Sequence, residues 1–133
     1  IGSDLEGSFG SMPGAISKGS AKFGELAAAN GMDGSAPYVG ESYDAAAIIA
    51  LAIQRGGSAD RKSILSNISQ VSNAPGIKIQ PGQLSYGLQM LAEGNEINYE
   101  GATDVEFNAF GDAAGAFKEL EVSGGTFVTV GPL

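Results

Sequence analysis

The sequence contains no cysteine, no histidine and no tryptophan among its 133 residues. Without imidazole or thiol it can build neither a Ser-His-Asp nor a Cys-His nucleophile, nor a zinc site based on sulfur or nitrogen ligands. Zero cysteine leaves the compartment open, fitting a cytosolic chain or a bacterial secreted one without disulfides. No apolar run approaches the roughly 18 residues of a membrane-spanning helix. Basic side chains are scarce too, seven against fifteen acidic ones for a net charge of −8. Phosphate backbones need a basic face, so nucleic acid is not an expected partner. No signal peptide is visible. The first residue is Ile1 rather than Met, as expected of a processed or excised chain.

Hydrophobic residues make up 43%, enough for one domain with a packed core. The 21 glycines fall singly between apolar runs, which predicts many short elements joined by turns. Between Glu93 and Glu121, eight carboxylates face the single cation Lys118, a bias expected of a solvated surface.

Along the chain, Leu5 to Met12 reads as a short strand stopped by Pro13. Ile16, Ser20, Phe23 and Ala27 share one helical stripe, closed by Asn30-Gly31. The almost wholly apolar, alanine-rich run from Tyr43 to Arg55 predicts a helix buried on most sides. Asp60 is placed to cap a following helix, in which Ile64, Leu65, Ile68 and Val71 form a stripe at helical spacing. A shorter one follows Pro81-Gly82 with Leu84, Leu88 and Leu91 on one face. The period then changes. Val105, Phe107 and Ala109 alternate, followed by Ala116 to Val122, Gly124-Gly125 and Thr126 to Val130, which predicts a three-strand antiparallel meander. The fold class is α/β: strand, four helices, then an antiparallel ribbon. A buried helix such as Tyr43–Arg55 normally covers a parallel sheet, and the strands for that sheet are not evident in the sequence.

Four segments, in order, resemble one family. Tyr38-Val39-Gly40-Glu41-Ser42-Tyr43-Asp44-Ala45 is similar to the aromatic-x-x-x-x-Tyr-Asp-Ala helix opening of type I periplasmic (extracytoplasmic) solute-binding proteins of amino-acid ABC transporters. Leu5-Glu6-Gly7-Ser8-Phe9-Gly10-Ser11-Met12-Pro13 resembles their crossover strand. Ile97-Asn98-Tyr99-Glu100-Gly101 resembles their Ile-x-Tyr-x-Gly segment. Val105 to Asp112 resembles their Phe-Asp-x-x-Gly-Asp turn, with Asn108 where Asp is usual. Phe127 to Val130 then fits the last strand.

The resemblance implies two α/β lobes joined by three crossings, with this chain matching about the last third of such a protein. Residues 1–13 would be a hinge-crossing strand, 14–96 the helices completing the first lobe, and 97–133 a β-rich tail returning to the second. It implies a small-molecule ligand, an amino acid or similar carboxylate, and an ABC permease that receives it. A sensor domain of the same fold feeding a signalling partner is the alternative. The upstream part of the chain would supply the missing strands; failing that, the fragment would self-associate by exchanging elements. The location implied is periplasmic or extracytoplasmic, with lipid anchoring compatible. Neither cofactor, metal nor enzymatic turnover is expected.

For individual residues, the resemblance places Tyr38 at the cleft edge against ligand, with Glu41 facing the same cleft. Glu6, Gly7 and Gly10 would form the hinge. Tyr43 is expected in the core, and Asp44 in the first helical turn, where a carboxylate is favoured. The Asn67-Ile68-Ser69 sequon falls inside an amphipathic helix and reads as coincidence. Asp104, Glu106 and Asp112 lack the spacing of a calcium loop, and Glu96 with Glu100 makes a poor glycosidase pair.

Overall fold

In the computed structural model, which describes residues 2–133, the chain is a mixed α/β fold with four α-helices and an antiparallel sheet. A short 3-10 turn at Ser3–Leu5 leads into β1, Phe9–Pro13. The helices are α1 (Lys18–Ala29), α2 (Val39–Gly56), α3 (Arg61–Ser72) and α4 (Leu84–Ala92). Strand β2 (Ile77–Ile79) precedes α4 and β3 (Ile97–Tyr99) follows it. The chain ends with β4 (Phe117–Ser123) and β5 (Thr126–Pro132).

Local chemistry sets these boundaries. Ser17 caps α1 reciprocally with Ser20: each hydroxyl accepts the other's backbone N–H, at 3.1 and 2.8 Å. Asp60 caps α3 through the N–H groups of Lys62 and Ser63, as its position in the sequence foretells. The Gly124-Gly125 pair, both with positive φ (61° and 76°), makes the tight turn between β4 and β5.

The parallel strands that seemed absent are present in small form. β2 and β3 pair in parallel, Ile77 opposite Ile97 and Ile79 opposite Tyr99. Three residues each, they are too short to register as periodic runs. Against them packs the main core of Ala47, Ile48, Leu51, Ala52, Val71, Ile79, Ile97 and Tyr99. A smaller cluster of Phe23, Ala27 and Ala102 joins α1 to the start of α2. Tyr43 belongs there as expected, its ring 5.1 Å from that of Phe23 and its hydroxyl accepting the Gly82 N–H.

Two expectations need correcting. Helix α2 is buried along one stripe, not on most sides: Ala45, Ala46 and Ile49 are exposed, Ile49 at 46%. Alanine-rich composition hid the sidedness because both faces are apolar. Residues Val105 to Ala109 are not a strand. A single bridge, Phe107 to Ala113, closes a turn there, and Asn73 holds Phe107 by a two-way amide clamp at 2.7 and 3.0 Å. The third strand of the antiparallel sheet is β1, in the order β1-β4-β5, with Phe9 opposite Glu121 and Pro13 opposite Phe117.

The sheet and the helical body are joined by two neighbouring links, Gly14–Ser17 and residues 113–116, bonded to each other where the Gly14 N–H donates to the Ala116 carbonyl at 2.9 Å. The segment from Ile97 to Val105 stays with the helical body, and the chain enters the sheet at Phe117.

Two glycines of α1 separate packing from propensity. An added Cβ at Gly24 would meet nothing within 4 Å, whereas one at Gly19 would overlap the Gly101 carbonyl oxygen. Gly24→Ala is therefore expected to raise stability by about 0.5–1 kcal/mol, the ordinary gain in a helix. Gly19→Ala should lower it despite the same propensity gain, with urea midpoints moving in opposite directions.

Candidate functional site

The start of α2 is where sequence and structure concentrate unusual features. Tyr38 is its N-cap and adopts the left-handed conformation, φ 64° and ψ 4°. Its carbonyl is tied down by the Ser42 N–H (3.0 Å) and the Ser42 hydroxyl (2.7 Å). Its ring, however, stands 62% exposed. A non-glycine residue in this region costs about 1–2 kcal/mol, and an exposed aromatic ring recovers little of it.

That ring borders a cavity of about 320 Å³ between α2 and the links, lined also by Glu41, Ile48, Val105, Phe107 and Phe117. A second cavity of about 340 Å³ lies on the other side of the link, bordered by Ser17, Ser20, Phe23, Lys118 and Thr129. Pro13, Ala15, Glu41 and Thr103 line both. Glu41 thus stands where the two spaces meet, in the first turn of α2. The family resemblance implied a cleft for Tyr38 and Glu41; in the structure both line this one cavity.

Asp44 is elsewhere than expected. It lies a turn further along α2, only 2% exposed, and its carboxylate accepts four hydrogen bonds. The Tyr99 hydroxyl and the Ala102 N–H donate to one oxygen, both at 2.8 Å. The Thr103 N–H (2.9 Å) and hydroxyl (2.7 Å) donate to the other. Burial first, then the adjacent carboxylate it bonds, push the Tyr99 hydroxyl above its ordinary pKa, so it remains a donor. This anchor fixes the 100–104 turn under the cavity floor and presents Thr103 to both spaces. The signal was legible: a lone carboxylate amid nine apolar neighbours must be buried with partners or break the pattern.

The three hinge candidates sit at the far end of the sheet. The Glu6 carboxylate accepts the N–H groups of Gly124 (2.9 Å) and Gly125 (3.3 Å), holding the β4–β5 turn. The Gly7 N–H donates to the Val122 carbonyl, and Gly10 pairs with Leu120 inside β1. The crossing between sheet and helical body comes a few residues later.

A third cavity, about 580 Å³, is lined by charge: Lys18, Lys22, Lys78, Glu100, Asp104 and Glu106. Lys78 pairs with Glu100 at 2.5 Å, and Gln80 donates to the same carboxylate at 2.6 Å. Glu96 pairs instead with Arg55 at 3.8 Å, so the two glutamates are engaged apart. Among the described residues no cluster of three or more acidic side chains is arranged to hold a metal ion, and no helix is long and apolar enough to cross a membrane.

No family model matches the chain, and no solved structure matches it significantly. One curated protein does, the chemotactic signal transduction system substrate-binding protein BasB of Halobacterium salinarum. The two are 33% identical over 67 residues, half of this chain and 16% of that protein. The match thus spans about a sixth of the curated relative's length.

Proposed function

We propose that the chain is part of a two-lobed substrate-binding protein, and that Tyr38 and Glu41 form one wall of its ligand cleft. The observation that carries this is Tyr38: a strained backbone holding an exposed ring over a cavity, an arrangement that costs stability without repaying it in packing. The partial likeness to a substrate-binding protein supports the same reading. The ligand is a small solute, an amino acid or similar carboxylate, gripped between this wall and an opposing lobe. Ligand bridging the two would favour the closed arrangement over the open one. The work is capture without covalent chemistry, carried out in an extracytoplasmic location.

Two receivers of the captured solute fit, a membrane permease and a signalling partner. The relative's role in chemotactic signal transduction favours the second.

Tyr38→Gly tests the cleft assignment. Removing the strain should leave stability unchanged or raise it by up to about 1 kcal/mol. If the ring contacts ligand, the same change should weaken binding at least about tenfold. The measurement is calorimetric titration of the intact protein with the common amino acids, before and after the substitution. Full affinity retained by Tyr38→Gly would remove Tyr38 from the site.

A further inference from the structure

One lysine is set apart from the others. Lys18, Lys22, Lys62 and Lys78 are exposed, whereas Lys118 is half-buried. Arg55 and Lys78 have carboxylate partners, but Lys118 has none among the described residues, in a chain with fifteen acidic side chains. Its own strand does not supply one, because alternation turns Glu119 and Glu121 to the other face of β4. The side chain follows a defined path instead. Lys118 lies opposite Met12 in the β1–β4 ladder, and the same face continues two residues further to Gly14, in the link to the helical body. A Cβ on Gly14 would stand 2.6 Å from Lys118 Cε and 3.0 Å from its Nζ. The lysine stem thus lies across the link at the residue that has no side chain to block it, and Gly14 holds φ 145°, which L side chains rarely adopt.

That path brings Lys118 to the cavity of about 340 Å³ that Ser17, Ser20, Thr103 and Thr129 also border. Glu41 lines the same cavity, half-buried and likewise without an ion-pair partner among the described residues. A half-buried charge with no partner costs stability. Two charges of opposite sign therefore line one space without pairing with each other, which is the arrangement a solute carrying both signs would satisfy.

We propose that Lys118 receives the carboxylate of the bound solute while Glu41 meets its ammonium. The assignment rests on the cleft reading above and names the residue that reads the solute's negative charge. The cavity shares Pro13, Ala15, Glu41 and Thr103 with the one beside Tyr38, so a solute held at that wall enters the space that Lys118 borders. No further part of the protein is needed to bring the two together. Lys118 belongs to the sheet and Glu41 to the helical body, so one small molecule joins them across the links. A solute with only one of the two charges would leave the other half-buried and unmet.

Calorimetric titration of the intact protein with the common amino acids, and with the carboxamide of each one that binds, tests the assignment. The carboxamide keeps the ammonium and loses the negative charge, so the unaltered protein should bind it at least about tenfold more weakly than the acid. Lys118→Gln should weaken binding of the acid by a similar factor and should bind acid and carboxamide alike. A lysine with a purely structural role would not move that preference. Lys118→Arg, which keeps the charge, should keep the preference. Affinity unchanged by Lys118→Gln, in a protein whose binding Tyr38→Gly still weakens, overturns this assignment and leaves the cleft standing. So does a Lys118→Gln protein that is less stable without solute yet binds with full affinity, because the ammonium then pairs with another part of the protein. Binding of none of the amino acids removes the cleft reading and this assignment together.

Discussion

Replacing Asp44 by alanine is expected to cost about 3–5 kcal/mol, a large part of the 5–15 kcal/mol that holds a domain of this size together. The substitution strands four donors at once. The Tyr99 hydroxyl and the Ala102 and Thr103 N–H groups lie in or beside the core, where an unmade hydrogen bond costs about 1–3 kcal/mol. The urea midpoint should fall by about 2 M. Asp44→Asn should fall between the two, because an amide offers one oxygen and turns its N–H₂ toward donors on the other side. Tyr99→Phe removes one of the four donors and leaves nothing buried unmet on its own side, so about 1 kcal/mol is expected. If Asp44→Ala lost less than Tyr99→Phe, the carboxylate would not be the anchor described.

Gly101→Ala is the second severe change. Gly101 has φ 61°, and an added Cβ would overlap the Asp44 carboxylate and stand 2.5 Å from the Tyr99 ring. Left-handed strain alone costs about 1–2 kcal/mol, and displacing the carboxylate sacrifices its hydrogen bonds, for a total of about 3 kcal/mol. Because both substitutions attack one network, they should not add. In the Gly101→Ala, Asp44→Ala double variant the methyl enters space the carboxylate has vacated. Denaturant unfolding of the four proteins should show a loss smaller than the sum of the single losses. Simple additivity would mean that Gly101 and Asp44 act separately.

How far the fold could be read from the sequence follows from the length of each signal. α1, α3 and α4 carry apolar residues at helical spacing with a cap or a glycine stop, which made their existence legible, although Ile16 falls before α1 and Leu65 of α3 stands 73% exposed. α2 was evident as a helix, yet its sidedness was not, because alanine and isoleucine occupy both faces. β2 and β3, three residues each, hold no countable period. β1 could be read as a strand, but its partner could not. Phe9 meets Glu121 across more than a hundred residues, and no local pattern encodes such a pairing. The Val105–Ala109 alternation misled because the Asn73 clamp, a long-range contact, decides that segment. Of the candidate site, Tyr38 and Glu41 were nameable from motif position. The left-handed cap was not, and although the apolar run around Asp44 signals its burial, its partners on the 99–103 turn carry no local signal.

The paired links between the sheet and the helical body set the mechanics of the molecule. A single linker would let one part swivel about any axis. Two straps running side by side, stitched by the Gly14–Ala116 bond, behave like the leaf of a door hinge. Bending across the straps deforms both equally and costs little, whereas twisting would stretch one against the other and break the stitch. Such a pair of straps resists twisting more than bending, and the cavity beside Tyr38 lies against them.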